Sequence, residues 1–271
     1  MADRLMKFWR DWRGLLVFFA VMILFRSAVA DWNQVPSGSM KPGILDGDRI
    51  VVDKLAWDLR VPFTTVRVAG WSHPARGDVV TFDNPVDGRL FIKRVVAVPG
   101  DRVEWNRNRL TINGEAADYA ALDAGDVGAL PIDDTTRHQF YRESLLGTTR
   151  LVMLDGRPGA RDPHEAVLSR LLGTPRRNCE RYLGRAAGAE SLANAICRCA
   201  DLGACSTFPA FTVPEGKYWV MGDNRDNSSD SRVIGFVDRR SIYGRAHAVA
   251  FSVDTDNYYR PRFARFFTNL Q

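Results

Sequence analysis

Three stretches of this 271-residue chain hold side chains whose types could do chemistry. The first is Pro36-Ser37-Gly38-Ser39-Met40-Lys41-Pro42, which places two hydroxyls among loop formers. A serine hydroxyl is a weak nucleophile and needs a base beside it. The second is Lys93, set in Phe91-Ile92-Lys93-Arg94-Val95-Val96. Strand alternation puts Lys93 on one face with Phe91 and Val95, and Ile92, Arg94 and Val96 on the other. Whichever face packs inward therefore takes a cation with it or at its edge. The third stretch runs from Gly222 to Arg232 (GDNRDNSSDSR), eleven consecutive polar or glycine residues between apolar runs. Each stretch also has a plainer reading: a flexible linker, a lysine on the solvated side of an edge strand, and a solvated or calcium-binding loop. The calcium register fails, because Ser228 stands where an EF-hand loop needs glycine and Ile234 where it needs glutamate.

Other chemistries find no footing. None of His73, His138, His164 and His247 lies in a His-Glu-x-x-His or nucleophile-elbow context, and Gly-x-Ser-x-Gly is absent. No Walker loop or dinucleotide fingerprint occurs, so no cofactor is expected.

The elements that must hold these residues read as short strands. Residues 49–54, 78–82, 90–98 and 217–221 are β-branched and aromatic runs bounded by Gly-Asp, Asp-Gly and Pro-Gly pairs. Asn113-Gly114 after Arg109–Ile112 predicts a hairpin turn. Helical signals appear at 162–175, which opens Asp162-Pro163-His164-Glu165 and closes at Gly173 and Pro175, and at 190–196. The pattern predicts a mainly β fold: a split antiparallel core (33–105 and 213–271) with a smaller α+β domain inserted at 106–212.

Ahead of this body, Arg4, Lys7, Arg10 and Arg13 precede Gly14–Phe25, twelve residues without a polar side chain. A bilayer needs about 20; extending to Trp32 approaches that length and includes Arg26. The segment 14–32 reads equally as a transmembrane helix with residues 1–13 in the cytoplasm, or as a signal peptide ending Ala28-Val29-Ala30. Both export the remainder. Export suits Cys179, Cys197, Cys199 and Cys205 as disulfide partners, with three full pairings open. Cys-x-Cys spacing without a nearby histidine argues against zinc, and no metal site is expected. Forty-five per cent hydrophobic residues and a mean hydropathy of −0.22 exclude disordered, collagen-like and polytopic chains. The net charge of +5 leaves nucleic acid and anionic membrane open until it has a location.

In order, PSGSMKPGILDGDRIVVDK (36–54), RGDVVTF (76–82), FIKRVVAVPGDRV (91–103) and GDNRDNSSDSRVIGFV (222–237) resemble the type I signal peptidases, Ser-Lys enzymes that remove signal peptides. The resemblance covers most of the β core and little of the insert. It implies Ser39 as nucleophile and Lys93 as general base. Ser37 would supply a hydroxyl, and Ser39 its backbone N–H, to an oxyanion hole. Ser228 would orient the lysine amine, Asp230 and Arg232 would brace the site as an ion pair, and Met40 would help wall Lys93. It implies exported preproteins cut after Ala-x-Ala as substrates and the lipid bilayer as the other partner. A single-pass anchor in the bacterial inner membrane with a periplasmic catalytic domain follows, and nucleic acid drops out. The closest rival is a specialised peptidase of the same architecture, dedicated to conjugative-transfer or pilus precursors, which substrate profiling and not the active-site motifs would separate. The others are an inactive tethered binding module, opposed by the complete Ser39, Lys93 and Ser228 set, and a self-cleaving repressor, opposed by the apolar segment and the absence of a DNA-binding helix pair.

The chemistry explains why such a set is needed. An ordinary lysine, with a pKa of about 10.4, is neutral only about 0.4% of the time at pH 8. Burial among apolar groups must depress it, and Phe91, Val95 and Met40 are the expected walls. An extended substrate would add to an exposed strand edge.

Overall fold

The computed structural model describes residues 2–85, 87–106, 109–132, 135–136, 138–155 and 207–270. The four cysteines, His164 and the helical stretches expected at 162–175 and 190–196 lie outside the described residues.

In chain order, α1 (Ala2–Ala28) leads into β1 (Ala30–Gln34), β2 (Asp48–Asp53) and a two-stranded arm, β3 (Asp58–Arg60) with β4 (Arg67–Gly70). Next come β5 (Val79–Asp83), β6 (Leu90–Ala97), β7 (Arg102–Asn106), β8 (Arg109–Ile112) and β9 (Glu115–Ala116). Then β10 (Asp118–Ala121), the short helix α2 (Ala124–Gly128), β11 (His138–Leu145) and β12 (Thr148–Asp155) follow. After residues 156–206, the chain continues as β13 (Thr207–Thr212), β14 (Lys217–Met221), α3 (Ser231–Ile234), β15 (Val237–Asp238), β16 (Ile242–Asp254) and β17 (Arg260–Pro261).

The protein is mainly β. Its core sheet runs β1-β2-β16-β5-β6-β14-β15, antiparallel at each pairing, with β17 against the end of β16. The strand runs read at 49–54, 78–82, 90–98 and 217–221 are β2, β5, β6 and β14 to within a residue or so. β2 alternates fully and partly buried positions, as one covered face requires. By contrast, four of the five residues of β5 are buried, because side chains cover both faces of the sheet there. Val80, Phe82, Val95 and Val220 pack with Ile234, Val237 and Ile242 on one side, and Met40, Ile44, Ile50, Val79 and Ala246 on the other.

A second sheet, β13-β7-β8-β9, buries Val103, Trp105, Leu110 and Ile112 against Val96, Ala97, Trp219, Met221 and Phe236 of the core. β13 pairs with β7, so residues 102–106 and 207–212 lie side by side. Asn113 and Gly114 both take positive φ, 53° and 84°, in the tight β8–β9 turn that the Asn-Gly pair signals. A third sheet, β10-β11-β12, stands beside the core, and its edge strand β12 forms a parallel bridge between Met153 and Asn224.

The entrance differs from the sequence expectation. The helix begins at Ala2 and ends at Ala28, while Trp32, expected at the end of the span, lies in β1 opposite Val51. Helical hydrogen bonding starts among the charged residues, and the competing strand pairing with β2 ends it. At about 1.5 Å per residue α1 is roughly 40 Å long. No helix among the described residues is long and apolar enough to cross a membrane, because the first half of α1 carries Asp3, Arg4, Lys7, Arg10, Asp11 and Arg13.

Candidate active site

Four pieces of backbone converge at one end of the core sheet. The tight 3-10 turn Gly38–Met40 follows β1, and its entrance is fastened when Val35 N donates to Asp48 O (2.9 Å) and Gly47 N to Val35 O (3.0 Å). This turn presents Ser39 and buries Met40 completely beneath it. β6 delivers Lys93 from the middle of the sheet, opposite Val80 of β5. The polar loop after β14 supplies Gly222 to Asp230, and the edge of β12 closes over that loop.

Lys93 Nζ lies 2.8 Å from Ser39 Oγ and donates to the carbonyl of its neighbour Ile92 at 2.9 Å. Both side chains are buried: Lys93 is 4% exposed and Ser39 8%. The amine also sits 5.1 Å from the centre of the Phe91 ring, and Val95 is fully buried on the same strand. Burial pushes the Lys93 ammonium down to about 8; Asp230 and Asp223 pull it back up, and Arg232 adds to the depression. The two carboxylates are themselves neutralised. Arg232 Nε donates to Asp230 Oδ1 at 2.8 Å with both side chains wholly buried, and Arg94 grips Asp223 through Nε and Nη2 at 2.9 and 2.7 Å. Two compensated ion pairs beside a lone amine leave desolvation in control of its protonation.

Ser37 precedes the turn in an extended conformation, exposed, with its hydroxyl making no cap bond. Ser228 is brought into the cluster but not onto the amine. Its Oγ is buried and, among the described residues, has no hydrogen-bond partner. A Cβ on Gly222 would lie 2.2 Å from Ser228 Oγ and 2.4 Å from the Ser39 carbonyl oxygen. Glycine is the residue that lets the loop approach the serine turn this closely.

Sequence reasoning missed several supports. Asn224 N donates to Ser39 O and Asn224 Nδ2 to Gly38 O, both at 3.1 Å, so one residue holds two carbonyls of the turn. Gly222 N donates to Asp230 Oδ2 at 2.9 Å. The Asp223 carboxylate that holds Arg94, and the Glu143 carboxylate that holds Arg225, are over eighty positions from their partners. Only the density of paired charges within Gly222–Arg232 hinted at them. Among the described residues no group of His, Cys, Asp and Glu could hold a metal ion.

The comparisons agree with one another. The family model for signal peptidase, peptidase S26, matches residues 9–251. Signal peptidase I of Pseudomonas aeruginosa is 32% identical over 250 residues, covering 87% of this chain and 69% of that protein. The Pseudomonas fluorescens enzyme is 34% identical with the same coverage, and that of Aquifex aeolicus 32% identical over 88% and 81%. A crystal structure of a signal peptidase I from Enterococcus faecalis V583 matches at 24% identity over 64% of this chain and 97% of that one, with a TM-score of 0.30, too low to bear on the fold. The family match over nearly the whole chain, with relatives of one activity at about one-third identity, assigns the chain to the signal peptidase family, peptidase S26, as a serine peptidase of the signal peptidase I kind.

Proposed function

We propose that this protein is a membrane-anchored endopeptidase that removes signal peptides from exported preproteins after Ala-x-Ala-like sites, with Ser39 as nucleophile and Lys93 as general base. The observation that carries the reading is a buried lysine amine 2.8 Å from a serine hydroxyl, with its pKa lowered to about 8. A neutral amine has one lone pair and two N–H groups. The lone pair accepts the Ser39 proton as Oγ attacks the scissile carbonyl. One N–H keeps the Ile92 carbonyl, and the other is free for the unpartnered Ser228 hydroxyl. The developing oxyanion takes the Ser39 backbone N–H and the exposed Ser37 hydroxyl, donors of a kind worth about 3 kcal/mol each. Lys93, now an ammonium, returns the proton to the leaving amine. It then deprotonates the water that attacks the acyl-Ser39 ester and passes that proton to Ser39 Oγ as the ester bond breaks, which restores the enzyme.

The substrate enters as a strand. β14 pairs with β6 only at Arg94, Val95 and Ala97, so the edge of β6 at Leu90–Lys93 opposite β5 carries no partner strand among the described residues. A peptide laid there ends beside Lys93 and Ser39. α1 supplies the anchor of an inner-membrane, single-pass protein with its N-terminus in the cytoplasm and the β body in the periplasm. Leu15, Leu16, Phe18, Phe19, Ile23 and Phe25 are all exposed along it. At its end Arg26 pairs with Asp31 at 2.7 Å and stacks over Trp32 at 4.2 Å, which offsets its charge near an interface.

The test is cleavage of a preprotein by the full chain in detergent. Ser39→Ala and Lys93→Ala should each abolish it, with the product N-terminus following Ala-x-Ala in the wild type. Normal turnover by folded Lys93→Ala protein would overturn the mechanism.

A further inference from the structure

Glu143 belongs to β11, far in sequence from the serine, the lysine and the polar loop, yet its side chain is completely buried. It faces two arginines. Arg225 of the polar loop, itself 1% exposed, grasps it with both Nη atoms, Nη2 to Oε1 at 2.9 Å, and Arg150 pairs with it from the opposite position on β12. Burial alone would raise the Glu143 carboxyl, but Arg225 and then Arg150 hold it down to about 2, so it stays an anion.

The backbone beside this triad shows what it fixes. Met153 N of β12 donates to Asp223 O, and Arg225 N donates to Met153 O, both at 2.9 Å. β12 thus grips the residues on either side of Asn224. Asn224 is left facing the serine turn, where its N–H and Nδ2 hold the carbonyls of Ser39 and Gly38. Arg232, paired with Asp230 in the lysine's surroundings, also donates to Arg225 O. The chain of contact runs from Glu143 through Arg225 and Asn224 to the nucleophile.

We propose that Glu143 is a positioning residue: it draws Arg225 onto the β11–β12 hairpin, and so sets the place of Ser39 relative to Lys93. The inference rests on the serine–lysine reading above. A buried Arg–Glu–Arg cluster is a weak source of stability, since apolar side chains of similar volume can replace it without loss. What they do not reproduce is a two-pronged grip of fixed geometry on one loop residue.

The experiment compares the full-length wild type with Glu143→Gln, Glu143→Asp and the triple replacement Glu143→Met, Arg150→Met, Arg225→Met. Single-turnover cleavage is measured with saturating enzyme, so an unfolded fraction leaves the rate constant untouched. Glu143→Gln should cleave about 10- to 100-fold more slowly, the range that a shift of about 1 Å produces. Half-saturation should stay within about threefold, and Glu143→Asp should recover part of the rate. The triple variant, which leaves no unpaired charge, should melt no lower than wild type and still be slow. A wild-type rate constant in Glu143→Gln, or in the triple variant where the single one does not fold, overturns the inference. Lys93→Ala is assayed alongside: if it cleaves, the serine–lysine reading fails and this one with it, whereas an inactive Lys93→Ala beside an unimpaired Glu143→Gln defeats only the role of Glu143.

Discussion

Lys93 answers two opposed demands. As the proposed general base it must be neutral to accept a proton, yet it has to become an ammonium each time it does. A pKa of about 8 serves both: near pH 8 about half the molecules hold the free base, against well under 1% for an exposed lysine. The sign of the pH dependence follows. Below the depressed pKa the resting enzyme carries the inert ammonium, so kcat/KM should rise about tenfold per pH unit up to about pH 8 and then level off. A rate profile from pH 5 to 10 on a short peptide checks this; an inflection near pH 10 would mean that the amine is not desolvated during turnover. At this scale the sequence was legible where local order carries the signal. Spacing sets Lys93 with Phe91 and Val95 on one strand face and Ser39 in a turn before a strand, yet each alone fits a plainer role; the four matching blocks in order single them out. The parts played by Asn224, Gly222 and Glu143 are not visible that way. They act through contacts across the fold, and a close approach such as that of Gly222 to Ser39 O exists only once two loops have been brought together.

Among elements, β6 does most to define the site, because its two halves have different neighbours. From Leu90 to Lys93 it is paired on the β5 side alone; at Arg94 both β5 and β14 flank it, and at Val95 and Ala97 its strand partner is β14. The register shift between Trp219 and Val220 of β14 precedes the point where β14 turns away into the polar loop, which leaves that edge without a partner strand among the described residues. If main-chain hydrogen bonds along this edge hold the peptide, methylating the amide nitrogens of the two or three residues before the scissile bond should raise KM by about tenfold per lost bond, with kcat less affected. Equal KM for the methylated and parent peptides would show that side-chain pockets alone bind it. The strands themselves were readable because turn residues punctuate them: Gly47-Asp48, Gly77-Asp78 and Gly222-Asp223 stand at or just before three strand boundaries or loop entries. Their order was not. Nothing in the sequence of β16 says that it lies between β2 and β5, since that pairing is set by side chains from distant segments packing together.

The molecule as a whole has an uneven distribution of apolar surface. The β body buries its large side chains in continuous clusters, while α1 leaves Trp12, Leu15, Phe18, Phe19 and Phe25 exposed, and the end of the chain leaves Tyr258, Phe263 and Phe267 more than 70% exposed. Residues Arg4, Lys7, Arg10 and Arg13 precede the apolar turns, and Arg260, Arg262 and Arg265 accompany the exposed aromatics. The helix is tied to the body at its last turn, by Arg26 to Asp31 and by Lys54 Nζ to Arg26 O at 2.7 Å, so a cut before Arg26 spares that junction. Removing residues 1–25 should therefore leave the rate on a short soluble peptide within about twofold, since no group at the serine–lysine pair is touched. On a preprotein embedded in phosphatidylglycerol vesicles it should fall by about tenfold or more, because enzyme and substrate no longer share a surface that concentrates them. The same pair of proteins separates an anchor from mere surface adhesion. An alkaline carbonate wash should leave the full chain with the vesicles and release the truncated one, whose remaining arginines and aromatics hold only electrostatically and at the interface. Release of the full chain by that wash would show that its twelve-residue apolar stretch does not insert, and the substrate's own membrane segment would then have to bring the two together.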